Sequence, residues 1–269
     1  MALSNCGEKD MLDLVNMPYS VGQTTKHDSR TDKYVHVPTS NVIDLLVKEN
    51  FVPVKAYETK TRKADKQGFQ KHMVRFRHES LGYQGDSVPE IVVINSHDGT
   101  TGLQMWSGMF RMICSNGIVA ASETYAKVSL AHRGDLEGKI IDASYKVIEN
   151  SNKALLGVQE WQKISLSDSD RLDFAARALV ARYGLDEQQW AVKPDRLLVP
   201  RRLDDQGYDL WKTFNVVQEN LTQGGIGSFK RLENGNIGYR SVRAIRSVGK
   251  NVELNADLWQ IAEDYALQA

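Results

Sequence analysis

His72-Met73-Val74-Arg75-Phe76-Arg77-His78, followed by Glu90-Ile91-Val92-Val93-Ile94-Asn95, is the stretch whose pattern decides the fold class. In the first segment His72, Val74, Phe76 and His78 alternate with Met73, Arg75 and Arg77. A period of two predicts a strand, and it puts Arg75 and Arg77 on one face together. The second segment is apolar without interruption from Ile91 to Ile94, which predicts a strand buried on both faces. Upstream, Phe51 to Lys60 reads as a further strand. Thr59 to Gly68, carrying Lys60, Arg62, Lys63 and Lys66, reads as an exposed basic turn. Strands in succession joined by short turns pair antiparallel, so the expected class is α+β.

Helices flank these strands. Pro38-Thr39-Ser40-Asn41 precedes Val42, Ile43, Leu45, Leu46 and Val47, a pattern that starts a helix of about ten residues. Leu103, Trp106, Phe110 and Ile113 recur at helical spacing, which predicts a helix over Leu103 to Cys114 stopped by Asn116-Gly117. Ile118 to Leu130 returns to strand-like alternation. The second half reads as helical: Asp135 to about Gln162, a helix capped by Ser167-Asp168-Ser169-Asp170, Asp209 to Leu221, and a terminal helix capped by Asn255. Between the last two lies a glycine-rich loop from Gly224-Gly225-Ile226-Gly227 through Gly238. The expected organisation is an N-terminal arm over 1–37, an α+β core over 38–134 with a sheet of three to five strands, and a helical region over 135–269 continuous with that core.

Composition narrows the functional classes. The 269 residues carry 34 basic and 34 acidic side chains, so no global field draws the chain to nucleic acid or membrane. Cys6 and Cys114 are far apart and belong to no C-x-x-C or Cys/His cluster, which argues against a disulfide framework and a zinc site. The start of the chain lacks the basic residues and apolar run of a signal peptide, and no apolar run approaches the roughly 18 residues of a membrane span. The expectation is a cytoplasmic protein that needs no cofactor.

Asn95-Ser96-His97-Asp98-Gly99-Thr100 is the string most suggestive of chemistry. Adjacent His97 and Asp98 suit acid/base work or metal ligation, but metal sites need about three convergent ligands and none is spaced for it here. The structural alternative is that Asp98-Gly99 makes a turn and Thr100 or Thr101 caps the next helix. Gly-x-Ser-x-Gly and Walker signatures are absent, and the Gly224-Gly225 loop follows a helix rather than a strand, which argues against a dinucleotide fingerprint.

Charge distribution is more informative. Between Lys193 and Lys250 there are eleven basic residues against six acidic ones, a local surplus of five hidden in a neutral whole. Lys230, Arg231, Arg240, Arg243 and Arg246 fall in or after the glycine-rich loop. Arg240, Arg243 and Arg246 would share one face of a helical turn, with Phe229 and Tyr239 as stacking surfaces beside them. Arginine forks and glycine-loop amides both suit phosphate oxygens. Lys60, Arg62, Lys63 and Lys66, with Arg75 and Arg77, form a second candidate patch. The competing reading is that these cations are solvated or paired with carboxylates.

Several stretches together carry a family likeness: Val88-Pro89-Glu90 through Thr100, Met109-Phe110-Arg111-Met112-Ile113-Cys114-Ser115-Asn116-Gly117, Asp209-Leu210-Trp211, Asn215 through Asn220, Gly224-Gly225, and Leu254-Asn255-x-x-Leu258-Trp259. In order and spacing they resemble a family of unknown function borne by enterobacterial prophages and conjugative plasmids, over roughly residues 35 to 268. The resemblance implies a bacterial or phage cytoplasm and no assigned catalytic residues. The helix–strand–strand–strand–helix order from Pro38 to Gly117 is also similar to single-strand annealing proteins of the Rad52 and phage-recombinase type. These readings make nucleic acid the expected partner, single-stranded DNA above all, with homo-oligomers extending the groove. The alternative is a protein-binding inhibitor of host defence, an antirestriction-type factor whose partner is a host or phage protein.

Overall fold

The structure, a computed structural model, describes residues 17–31, 34–78, 87–111, 117–119, 128–129, 136–231 and 235–269. The chain divides into two compact units, residues 1–119 with 123–153 and residues 120–122 with 154–269. The fold is α+β, with an antiparallel sheet in the first half and helices dominating the second.

The first unit opens its described core with helix α1 (Thr39–Lys48). Four long strands follow: β1 (Phe51–Glu58), β2 (His72–His78), β3 (Ser87–Asn95) and β4 (Gln104–Arg111). They form a meander in which each strand pairs antiparallel with the next. Two short strands, β5 (Gly117–Val119) and β6 (Val128–Ser129), both add to β4. The register sets Val74 opposite Val93 and Phe76 opposite Ile91. These four side chains, with Met105 and Leu103, meet Val42 and Leu46 of α1 and Ile140, Ala143 and Val147 of α2 (Leu136–Trp161) in one apolar core.

The segment Leu103–Cys114 corrects the helical expectation. Gln104 to Arg111 is strand β4, paired with β3 from Ile94↔Gln104 to Ser87↔Arg111. The spacing of Leu103, Trp106 and Phe110 matches a helix, but Leu103, Met105 and Ser107 also alternate and all three are buried. The tertiary requirement wins, because β3 is buried and its backbone groups need a ladder partner. With β4 a strand, the described residues run helix–strand–strand–strand–strand from Thr39 to Arg111, and among the described residues the next helix is α2. Cys6 and Cys114, like most of Ile118 to Leu130, lie outside the described residues.

The second unit is built on α3 (Asp168–Tyr183), the single turn α4 (Pro194–Leu197), α5 (Leu210–Gln223) and α6 (Val248–Ala266). The expected cap of α3 is present as a capping box between Ser167 and Asp170, which satisfies two orphan backbone donors. Trp161 packs on Trp259, with ring centroids 4.5 Å apart, and on Phe214 at 5.9 Å. Ser247, not Asn255, caps the terminal helix. Asn255 is buried inside α6, where its side-chain oxygen accepts from Gln218.

The glycine-rich loop is also corrected. It contains a two-stranded antiparallel ribbon, β7 (Gly227–Arg231) and β8 (Ile237–Ser241), standing between α5 and α6.

Candidate nucleic-acid interface

The ribbon is rooted in the second unit by backbone bonds. The amides of Gly225, Val242 and Ile245 donate to the carbonyls of Val242, Ile226 and Thr222, each at 2.8 Å. Gly224 makes this root possible. Its φ is +68°, and a β-carbon there would lie 2.5 Å from both the Ala244 nitrogen and the Val242 oxygen. Arg201 and Arg182 add side-chain clamps, to the Gly224 carbonyl and to the carbonyls of Leu221 and Arg243. Asn220 holds the neighbouring loop through the carbonyls of Leu197 and Val199. The Asn215–Asn220 and Gly224-Gly225 motifs are therefore structural: they fix where the ribbon leaves the helices.

Above this root one face of the ribbon is aromatic. Phe229 and Tyr239 are cross-strand partners whose rings meet edge to face at 5.4 Å. Tyr239 leans diagonally along the ribbon, so that its phenol end fills the space where a side chain at Gly227 would sit. Phe229, Ile237 and Tyr239 are respectively 77%, 73% and 60% exposed, an unusual concentration of apolar area on one short hairpin.

The arginines do not take the expected geometry. Arg240 follows Tyr239 on β8, so strand alternation puts it on the opposite face of the ribbon, and Arg243 and Arg246 follow in non-helical chain leading to α6. The shared helical face is therefore absent. All three are exposed, and among the described residues none has a carboxylate partner within ion-pair distance. The backbones of Lys230 and Arg231 belong to β7, while their side chains lie outside the described residues. Other cations in this region are consumed internally: Arg202 pairs with Glu219 and Asp205, and Lys212 lies 3.8 Å from Asp209.

The second expected patch divides in two. Lys60, Arg62 and Lys63 are exposed on the loop between β1 and β2, also without a carboxylate partner among the described residues. Arg75 and Arg77 do share a face, but it is closed. Both hydrogen-bond to Glu90, which is fully buried, and Arg75 is buried as well. Two guanidinium groups on one carboxylate form a buried network, which removes Arg75 from any phosphate-facing surface. The two cation groups also belong to different units, Lys60, Arg62 and Lys63 to the first and the ribbon to the second.

The Asn95–Thr101 loop is a polar knot at the end of β3. Asn95 donates to the Val37 carbonyl and the Thr39 hydroxyl. Asp98 accepts from the Thr100 amide and hydroxyl and from Lys66. Burial alone would raise its pKa, but these bonds outweigh it and hold the carboxyl below the usual carboxylate range. Gly99 turns with φ at +72°. The expected Asp98-Gly99 turn is thus present, but Thr100 caps no helix. His97 is fully buried and contacts His36 at 2.8 Å and the ring of His72. Burial drives its pKa down to about 3, with the neighbouring imidazoles adding to the effect. Among the described residues no group of three metal-binding side chains gathers.

The sequence pattern missed the ribbon because its glycines masked the alternation. The signal that identifies it is Asn234-Gly235, a hairpin-turn pair, between two five-residue runs with aromatic and β-branched residues.

A family model described as a domain of unknown function, DUF932, matches residues 26–259, a span that includes both the His97 loop and the ribbon. The UPF0380 protein YfjQ of Escherichia coli (strain K12) is 36% identical over 249 residues, 93% of this chain and 88% of that protein. The UPF0380 protein YafZ of the same strain is 36% identical over 244 residues, 91% of this chain and 86% of that protein. No solved structure matches. By the extent of the family match and of both relatives, the chain belongs to the DUF932 family.

Proposed function

We propose that this protein binds nucleic acid, single strands in preference to duplex, on the β7–β8 ribbon. The observation that carries the reading is the exposed Phe229–Tyr239 pair on a firmly rooted ribbon, with Arg240 on the ribbon's other face and Arg243 and Arg246 in the chain that follows, all without carboxylate partners among the described residues. Unpaired bases offer π-faces to aromatic rings irrespective of sequence, each stack contributing about 1–3 kcal/mol, while arginines engage the phosphates. A paired base presents only its edge, so a stacking surface favours unpaired strands. In this reading the protein is a cytoplasmic accessory factor of a phage, prophage or plasmid, acting in replication or recombination.

The same apolar residues favour a second reading, in which the ribbon docks on a protein and the chain acts as an antirestriction-type inhibitor of host defence. One experiment separates the two. Binding of a labelled short single strand is measured by anisotropy over a range of salt, with a duplex of the same sequence beside it. The expected result is tighter single-strand binding, a linear fall of log K with log salt, and a loss of about tenfold or more in Phe229→Ala/Tyr239→Ala. No retention of any DNA or RNA at low salt overturns the nucleic-acid reading and leaves the protein-docking one.

A further inference from the structure

The first unit carries a charged loop that the ribbon does not explain. Residues 59–71 join β1 to β2 and hold five basic side chains against one acidic. Lys66 is consumed by Asp98 at 3.1 Å. Lys60, Arg62 and Lys63 are exposed, and no carboxylate among the described residues lies within ion-pair distance of them. The carboxylates nearest in sequence are engaged elsewhere. Glu58 accepts from the Ser20 amide at 3.2 Å, and Asp65 lies 3.7 Å from Nε2 of His27. The segment before α1 thus occupies the acids and leaves three neighbouring cations unneutralised.

Charged surface loops are commonly mobile, but this one is tied down along its length. The amide and hydroxyl of Thr59 both donate to the Lys71 carbonyl at 2.9 Å, which closes the neck. Ala64–Lys66 form a single 3-10 turn, in which the Lys66 amide donates to the Lys63 carbonyl at 3.1 Å. The Asp65 carbonyl accepts from Nε2 of His27 at 3.0 Å. The Phe69 carbonyl accepts from the amides of His97 and Asp98 at 3.0 and 3.1 Å. A backbone held in this way presents its cations at low ordering cost, because only side chains remain to settle on a ligand.

The chemistry of the loop selects the kind of partner. It exposes no large apolar side chain, so it offers nothing to insert into a bilayer or an apolar groove. Two ammonium groups and a guanidinium within four residues suit a hydrophilic polyanion, whose closely spaced negative charges meet several cations at once.

We propose that the β1–β2 loop is a second nucleic-acid contact, in which Lys60, Arg62 and Lys63 hold the phosphate backbone. The proposal rests on the nucleic-acid reading above and divides the work between the two units. The loop supplies salt-dependent attraction indifferent to sequence, and the ribbon supplies base stacking.

The test follows binding of the full chain to a labelled oligothymidylate by anisotropy over a range of salt. Each phosphate contact on a single strand contributes about 0.7 to the slope of log K against log salt. Lys60→Ala/Arg62→Ala/Lys63→Ala should therefore flatten the slope by about 2. Phe229→Ala/Tyr239→Ala should lower affinity at every salt concentration and leave the slope unchanged. Lys146→Ala/Lys153→Ala/Lys163→Ala removes the same net charge from α2 and the turn after it, and should do neither. An unchanged slope in the loop variant, beside binding that still needs the rings, overturns this proposal and spares the ribbon. Equal flattening in the α2 variant also overturns it, since net charge then suffices. A flattened slope in the loop variant, with normal binding by the ring variant, supports the loop and overturns the ribbon. Wild-type protein that fails to bind at low salt overturns both. Tighter retention on phosphatidylserine vesicles than on the strand, lost in the loop variant, overturns the proposal in favour of a membrane surface.

Discussion

The Thr39 hydroxyl donates to Nε2 of His72 across 2.7 Å, and the direction of that bond follows from the other end of the ring. His72 Nδ1 lies 3.0 Å from the Gln70 carbonyl, which can only accept, so the single proton of the neutral ring sits on Nδ1. Nε2 is therefore the acceptor. Thr39, having given its proton, accepts in turn from Asn95 at 3.1 Å. One threonine joins the start of α1 to β2 and β3, while the N-cap position of that helix is Pro38, whose side chain has no polar atom to cap with.

This arrangement predicts acid sensitivity. Burial lowers the pKa of His72 from 6.5 to about 4 and that of His97 to about 3. In the unfolded chain both bind protons near pH 6.5, so between that pH and about 4 the unfolded state holds more protons than the folded one. Stability is fully present above about pH 6.5 and falls as the pH drops through this window. For His72 alone the loss is on the order of 3 kcal/mol. Urea midpoints measured across the window should decline in the wild type and decline less steeply in His72→Gln. A flat profile would show that neither ring is held neutral.

Glu90→Ala should be among the most damaging substitutions in the first unit. It removes from between the Arg75 and Arg77 guanidinium groups the buried carboxylate that accepts from both. Breaking a buried pair from one side costs about 3–5 kcal/mol. Denaturant unfolding followed by circular dichroism measures it. A cost below about 1 kcal/mol would be expected of a surface pair instead.

Gly224→Ala should loosen the ribbon. The positive φ costs about 1 kcal/mol for a residue with a β-carbon, and that carbon would strike backbone atoms of Val242, Arg243 and Ala244, which cannot rotate away. Amide exchange in β7 and β8 should accelerate by a factor of about ten or more, whereas the same substitution at Gly225, with open space around it, should cost only the conformational part.

Gly227→Val tests the stacking surface without removing an aromatic ring. A side chain at Gly227 meets the phenol end of Tyr239 and also comes within 2.9 Å of the Arg240 carbonyl oxygen, so it displaces the ring and disturbs that end of the ribbon. Single-strand affinity should fall by about tenfold, and amide exchange read alongside it separates loss of the ring's seat from fraying of the strands. Unchanged affinity would mean that the seat of Tyr239 has no part in binding.

Much of the architecture was legible from residue patterns, for definite reasons. β2 and β3 have one face or both faces buried, so their alternation and apolar run report burial directly. The Ser167–Asp170 cap is local chemistry, complete within four residues. The placement of Arg75 and Arg77 on one face follows from the pleat alone. What covers that face does not, because Glu90 reaches the arginines only through strand pairing fifteen residues away.

The remaining features required the tertiary structure. Leu103 to Arg111 fits two periodicities, and only the unpaired edge of β3 selects the strand. Tyr239 and Gly227 are twelve residues apart and meet through hairpin register. His36 and His97 are brought together across 61 residues. Local sequence records propensity and burial, which act over a few residues along the chain. Charge neutralisation, ring packing and hydrogen-bonded histidines depend on distances that the backbone sets only once it has folded.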